Sequence, residues 1–233
     1  MRCAALAALL LVACGAALPS ATSSPSPIAS PRVSAVAGKG ALPAKGPLVY
    51  RALFDATGRD LRLPRWYGDD PAASDIRFRD DAIELVVHRD GGETGAAFNM
   101  PARLTYVGEL DLSVTPGSRL ALYWSLRSSV DARQQHLLVV YTGRRSVELT
   151  FWDSVAQTQE SLTGLLPLWD LQGGQVVTLT VAVDRERYTL FVNGEQLVQV
   201  VDARGGGPTV PSIGIEGGEG SVRIVGARFY ELP

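Results

Sequence analysis

The sequence predicts an all-β sandwich. Short runs alternate apolar and polar residues with a period of two, Gly, Pro and Asp punctuate them at intervals of about 8 to 12 residues, and no run shows the helical period of 3.6.

The clearest runs cover 83–88, 104–114, 119–126, 136–141, 147–152, 176–183, 188–192, 197–201 and 222–230. A single helical turn over 162–168 is the one helical candidate, and Gly164 and Pro167 work against it. Successive side chains on a strand point to opposite faces, so alternation assigns sides. In 147–152, Val147, Leu149 and Phe151 form the core face and Glu148, Thr150 and Trp152 the other. In 119–127, Leu120, Leu122, Trp124 and Leu126 form the core face, leaving Tyr123, Ser125 and Arg127 outward. Asp184-Arg185-Glu186-Arg187 joins two strands, and Asn193-Gly194 is a strong hairpin signal because both residues tolerate positive φ. The run 176–201 is thus expected to form a β-meander.

Ahead of these runs the chain has a different texture. Met1-Arg2 and an apolar run over 4–13 have the form of a secretory signal, too short for a membrane-spanning helix of about 20 residues. The run closes on Leu11-Val12-Ala13-Cys14, which resembles the bacterial lipobox. That resemblance implies that residues 1–13 are removed and that Cys14 is lipidated as the new N-terminus. The alternative is an ordinary secretory cleavage near Ala16 or Ala17; both export the protein. Residues 14–47 are Ala, Ser, Pro and Gly with few charges, the composition of a disordered, semi-extended tether.

The domain proper is then 48–233, and it has no cysteine: Cys3 and Cys14 are the only two in the chain. Its stability must come from a buried core and not from a disulfide. A formal charge of −2 with interspersed signs gives no basic stripe, so nucleic acid is not an expected partner and membrane contact is expected through lipid alone. A monomer is expected.

Three segments carry a further resemblance: Val181-Ala182-Val183-Asp184, then Tyr188-Thr189-Leu190-Phe191-Val192-Asn193-Gly194, then Val198-Gln199-Val200-Val201-Asp202. With Ser212-Ile213-Gly214-Ile215 and the closing run 222–230, they resemble the C-terminal half of the concanavalin A-like lectin/glucanase superfamily, including laminin-G-like and keto-disaccharide-hydrolase-like domains. The resemblance implies an antiparallel jelly-roll β-sandwich over 48–233. Activities in that superfamily range from sugar binding to hydrolysis, so the fold does not fix a function.

Glucanases of the superfamily carry a Glu-x-Asp-x-x-Glu strand. Here the nearest stretch is Glu148-Leu149-Thr150-Phe151-Trp152-Asp153, with Thr150 in place of the middle carboxylate and the shorter Asp153 in place of the last. Its two acids read more simply as solvated strand-end charges. His88 and His136 stand apart with no ligand spacing and read as half-exposed strand residues. The glycine clusters 205–207 and 217–220 are turn glycines, since no helix follows them. No cofactor is expected, although Asp69-Asp70, Asp80-Asp81 and Asp202 could hold a structural Ca²⁺.

There remains the outward set Tyr123, Arg127, Glu148 and Trp152, in which an aromatic ring could stack on a sugar while Arg and Glu hydrogen-bond its hydroxyls. Against this, Trp152 could pack beneath a loop or the segment 165–169. The expected function is a surface-anchored, non-catalytic recognition module with carbohydrate the favoured ligand. The alternatives are a glycan-active hydrolase and a structural or protein-interaction domain of the envelope.

Overall fold

The computed structural model describes residues 40–54, 60–62, 70–129, 133–204 and 206–233. Cys14, the signal, most of the tether, Asp69 and Gly205 lie outside them. The described residues form strands and no helix. In chain order these are β1 (Leu48–Arg51), β2 (Leu61–Arg62), β3 (Ser74–Arg79), β4 (Ala82–Val87), β5 (Gly92–Phe98) and β6 (Thr105–Val114). Next come β7 (Leu120–Ser128), β8 (Gln134–Tyr141), β9 (Ser146–Asp153), β10 (Thr158–Ser161) and β11 (Leu166–Pro167). The last five are β12 (Val177–Asp184), β13 (Arg187–Val192), β14 (Glu195–Val201), β15 (Ser212–Gly217) and β16 (Gly220–Tyr230). In place of a helical turn over 162–168, Leu166 and Pro167 pair with the edge of β9, because Gly164 at φ +69° turns the chain back along that strand.

Two antiparallel sheets face each other. The first runs β14-β13-β12-β6-β16-β4-β3 with β1 also on β16, and the second runs β10-β9-β8-β7-β15-β5-β2 with β11 also on β9. The β12-β13-β14 meander and the Asn193-Gly194 turn, at φ +49° and +88°, are as the sequence predicts. Strands β3 and β5 escape the periodicity because charges at Asp75, Arg77 and Arg79 and glycines at Gly92 and Gly95 thin their apolar pattern.

The inner faces bury one aromatic group around Phe229, whose ring centre lies 5.1 Å from Phe98, 5.8 Å from Tyr106, 6.1 Å from Tyr50 and 6.4 Å from Trp124. Gly108 makes room for this packing. A Cβ there would stand 2.8 Å from Trp124 Cζ2 and 3.1 Å from Phe229. Gly108→Ala is therefore expected to destabilise the domain by about 1–3 kcal/mol through overpacking. A lower urea midpoint at unchanged slope would report it.

Residues 40–47, tether by composition, lie along the outer face of the first sheet. Lys45 Nζ donates to Glu109 Oε1 at 2.6 Å and sits 5.1 Å from the Tyr230 ring centre. Gly46 N–H donates to the Glu231 carbonyl, and Glu231 N–H to that of Pro47, both at 3.0 Å. On the same outer face Val107, Thr180, Phe191 and Glu109 are buried.

Candidate functional site

The continuous registers of β8 with β9, and of β7 with β8 up to Ser125, decide which side chains share the outer face of the second sheet. Tyr123, Val139 and Glu148 form one row across β7, β8 and β9. Ser125, Leu137 and Thr150 form the next, towards the end of the sheet where Trp152 stands with Gln135 and Gln159 opposite it. On the other side lies the row Ser146, Tyr141, Ala121, Glu216 and Glu93. Tyr123, Glu148 and Trp152 thus share one face, as their alternation predicts. They are not on neighbouring strands, since β8 runs between β7 and β9.

Arg127 does not join them. The register shifts between Ser125, opposite Leu137, and Arg127, opposite His136, so the intervening Leu126 forms a bulge that turns the next side chain inward. Arg127 is 6 % exposed and donates to the carbonyls of Arg185 and Gly206 at the end of the sandwich. Its outward placement by simple alternation is corrected on that ground.

Two other expectations change. Glu148 is buried: its carboxylate accepts Tyr141 Oη–H at 2.7 Å and Ser161 Oγ–H at 2.6 Å, so it is not a solvated strand-end charge. Asp153 is five residues along an unbroken strand and so points to the opposite face. It accepts Val155 and Ala156 N–H at 2.9 and 3.0 Å and Gln134 Nε2–H at 2.9 Å, closing the β9–β10 turn. These bonds, led by that of Ala156, hold its pKa below the ordinary carboxylate value. The two acids of the glucanase-like stretch therefore do not face one another.

The histidines also part company. His88 is exposed just beyond β4, whereas His136 is 1 % exposed on the inner face. Its ring stacks on Tyr188 at 4.6 Å and meets Phe151 edge-on at 5.2 Å. Its Nε2 lies 3.3 Å from Asp202 Oδ2, and Arg204 Nη2 donates to the same carboxylate at 2.8 Å. Asp202, a loop acid by sequence, is thus committed to an internal ion cluster. No three His, Cys, Asp or Glu side chains gather as a metal site among the described residues.

Open space on the outer face lies at the row of Ala121. There a cleft of about 440 Å³ is bounded by Arg119, Tyr123, Tyr141, Arg144 and Glu216 over a floor of Ala121. Ala121 pairs with Tyr141 on one side and Glu216 on the other. At an inter-strand spacing of about 4.8 Å these walls rise roughly 10 Å apart. Tyr123 Oη–H donates to Glu216. Burial, then the bond to Glu148, pushes the Tyr141 hydroxyl up to about 12, which keeps it a donor at neutral pH. The centre of the face is closed by contrast, with Val139 and Thr150 both 0 % exposed. Tyr141, Glu216 and Ala121 escape a reading of single strands because the non-sequential neighbour β15 brings Glu216 to β7; the outward parity of Tyr141 with Leu137 and Val139 was the available signal.

No protein-family model and no curated protein matches the sequence. Solved structures do. A protein of unknown function with a galectin-like fold from Bacillus subtilis superposes with a TM-score of 0.58 at 13 % identity, over 82 % of this chain and 98 % of that one. A non-specific endo-β-1,3(4)-glucanase of family GH16 gives 0.58 at 13 %, over 84 % and 95 %. The β-glucanase of Bacillus licheniformis gives 0.60 at 7 %, over 80 % and 99 %. The chain has the concanavalin A-like jelly-roll fold. At these identities the likeness is one of architecture, and the fold by itself fixes no chemistry.

Proposed function

We propose that this protein is a non-catalytic glycan-recognition module, exported and held to a membrane by a lipid on Cys14, that binds sugar in the cleft over Ala121. The observation that carries the reading is the pair of tyrosines hydrogen-bonded to glutamates around a small-residue floor. The rings offer flat apolar surface, and the Glu216 carboxylate, oriented by the Tyr123 hydroxyl, keeps acceptor capacity for a sugar hydroxyl. The sugar-active proteins among the structural neighbours support the ligand class. Against catalysis stands the state of the acids: Glu148 is buried and held by two hydroxyls, and Asp153 lies on the other face.

The test is a glycan array on the full chain, followed by hydrolysis assays on each hit. Ala121→Trp fills the floor and is expected to abolish binding with melting unchanged, whereas Trp152→Ala, about 20 Å away along the strands, weakens a ligand that reaches it by about 1–3 kcal/mol. New reducing ends released from a bound glycan would overturn the non-catalytic reading. Cys14→Ala should move the protein out of the detergent-extracted membrane fraction, and an unmodified Cys14 in the wild type would remove the anchor.

A further inference from the structure

The cleft has a charge pattern that sugar binding in general does not require. Arg119, just before β7, and Arg144, in the β8–β9 turn, both line it and both are exposed. Among the described residues neither has a carboxylate partner. Arg144 instead carries its guanidinium 5.7 Å from the centre of the Tyr141 ring. The acids of the face are paired with hydroxyls instead: Glu216 takes that of Tyr123, and Glu148 takes those of Tyr141 and Ser161. Glu93 stands one strand further out, opposite Glu216.

Hydroxyls, and not the arginines, thus partner the nearby carboxylates, which leaves two guanidinium forks open at one cleft. A guanidinium fork matches a carboxylate with two parallel hydrogen bonds, a match that a neutral hydroxyl cannot offer. Arg144 and Tyr141 lie on the β8 side of Ala121 and Glu216 on the β15 side, so an anion beside Arg144 is kept from the glutamate by the floor between them. Resting on the glycan reading above, we propose that the cleft selects an acidic sugar: the ring of a uronate residue lies over Ala121, and its carboxylate is held by Arg119 and Arg144.

The experiment titrates the full chain with tetrasaccharides of galacturonate, mannuronate and alternating glucuronate, each beside its carboxyl-reduced neutral counterpart. At least one acid is expected to bind roughly tenfold tighter than its neutral twin, as charge-assisted pairing implies. Raising ionic strength from about 0.05 to 0.5 M should narrow that gap. In Arg119→Gln/Arg144→Gln it should close to less than about twofold, with melting unchanged because both side chains are solvent-facing. Equal affinity for acid and neutral forms, or binding of neutral glycans alone, overturns the acidic assignment and leaves the glycan reading standing. An acid preference that persists in the double variant overturns the role of these arginines. Binding of neither set, nor of any arrayed glycan, sinks the glycan reading itself.

Discussion

Replacing Asp202 by Ala is expected to cost about 3–5 kcal/mol, the loss typical of removing one partner from a buried ion pair. The side chain is wholly buried, and it is the acceptor shared by His136 and Arg204. Arg204 is also tied to Glu160 on β10 and lies 4.2 Å from the Phe151 ring centre, so the carboxylate joins the β14–β15 connection to the second sheet. Without it, Arg204 would keep only the more exposed Glu160, and the nearby Arg127 would face His136 with no carboxylate between them. Asp202→Asn keeps the shape and separates lost packing from lost charge. A urea midpoint for Asp202→Ala within error of wild type would refute a stabilising role for this carboxylate.

The same cluster sets a pH dependence. Burial, aided by Arg127 and Arg204, holds the His136 imidazole below its ordinary value despite the pull of Asp202. A histidine whose folded pKa is depressed binds its proton more readily in the unfolded chain. Its contribution is therefore fully present above about pH 6.5 and is lost as pH falls from there through the folded value. Burial raises the Asp202 pKa, but bonds from His136 and Arg204 outweigh it and hold the acid far below the usual range. Its contribution is lost at lower pH, below about 4. Melting temperature should fall between pH 7 and 5, and His136→Gln should flatten that limb while leaving the steeper acid limb. A melting temperature that rises on going from pH 7 to 5 would contradict this assignment.

Deleting residues 40–47 is expected to cost roughly 3 kcal/mol, combining the loss of a partner from a buried carboxylate with renewed exposure of apolar surface. Burial raises the Glu109 pKa, yet Lys45 and Arg228 hold it below the ordinary value, so the acid is charged and depends on both cations. Arg228 remains after the deletion, at 3.2 Å, which is why the expected loss is at the low end for a buried pair. Lys45→Met in the full chain should give part of the effect, and the Gly46 amide, which donates to the Glu231 carbonyl, should be protected from hydrogen exchange. A deletion variant with wild-type stability and an unprotected Gly46 amide in the full chain would return the segment to the tether.

How far a site residue is legible in the sequence depends on whether its role is fixed by its own strand. The outward parity of Tyr123, Glu148 and Trp152 is fixed in that way, because an unbroken strand alternates without exception. The position of Arg127 is not. One extra residue at Leu126 inverts the parity of Arg127 and Ser128, and nothing in Trp124-Ser125-Leu126-Arg127-Ser128 marks a bulge, since no glycine stands there and Leu126 continues the apolar alternation. Lys45 was equally illegible, because a lone lysine among Pro, Ala and Gly looks like a solvated linker charge until the buried carboxylate it meets is known.

By itself the sequence determined the two-sheet class, the core faces of β7 and β9, the hairpin at Asn193-Gly194 and the absence of any disulfide in the domain. Each comes from local steric preference, strand periodicity or composition. Only the tertiary structure decided that β15 pairs with β7, which sets Glu216 opposite Ala121. It alone closed the middle of the outer face, opened the cleft at its end, and buried His136 against Asp202 and Arg204. The physical reason is that cross-strand neighbours far apart in the chain are chosen by the packing of two whole sheets, and the side chains that meet there carry no mark of one another in their own segments.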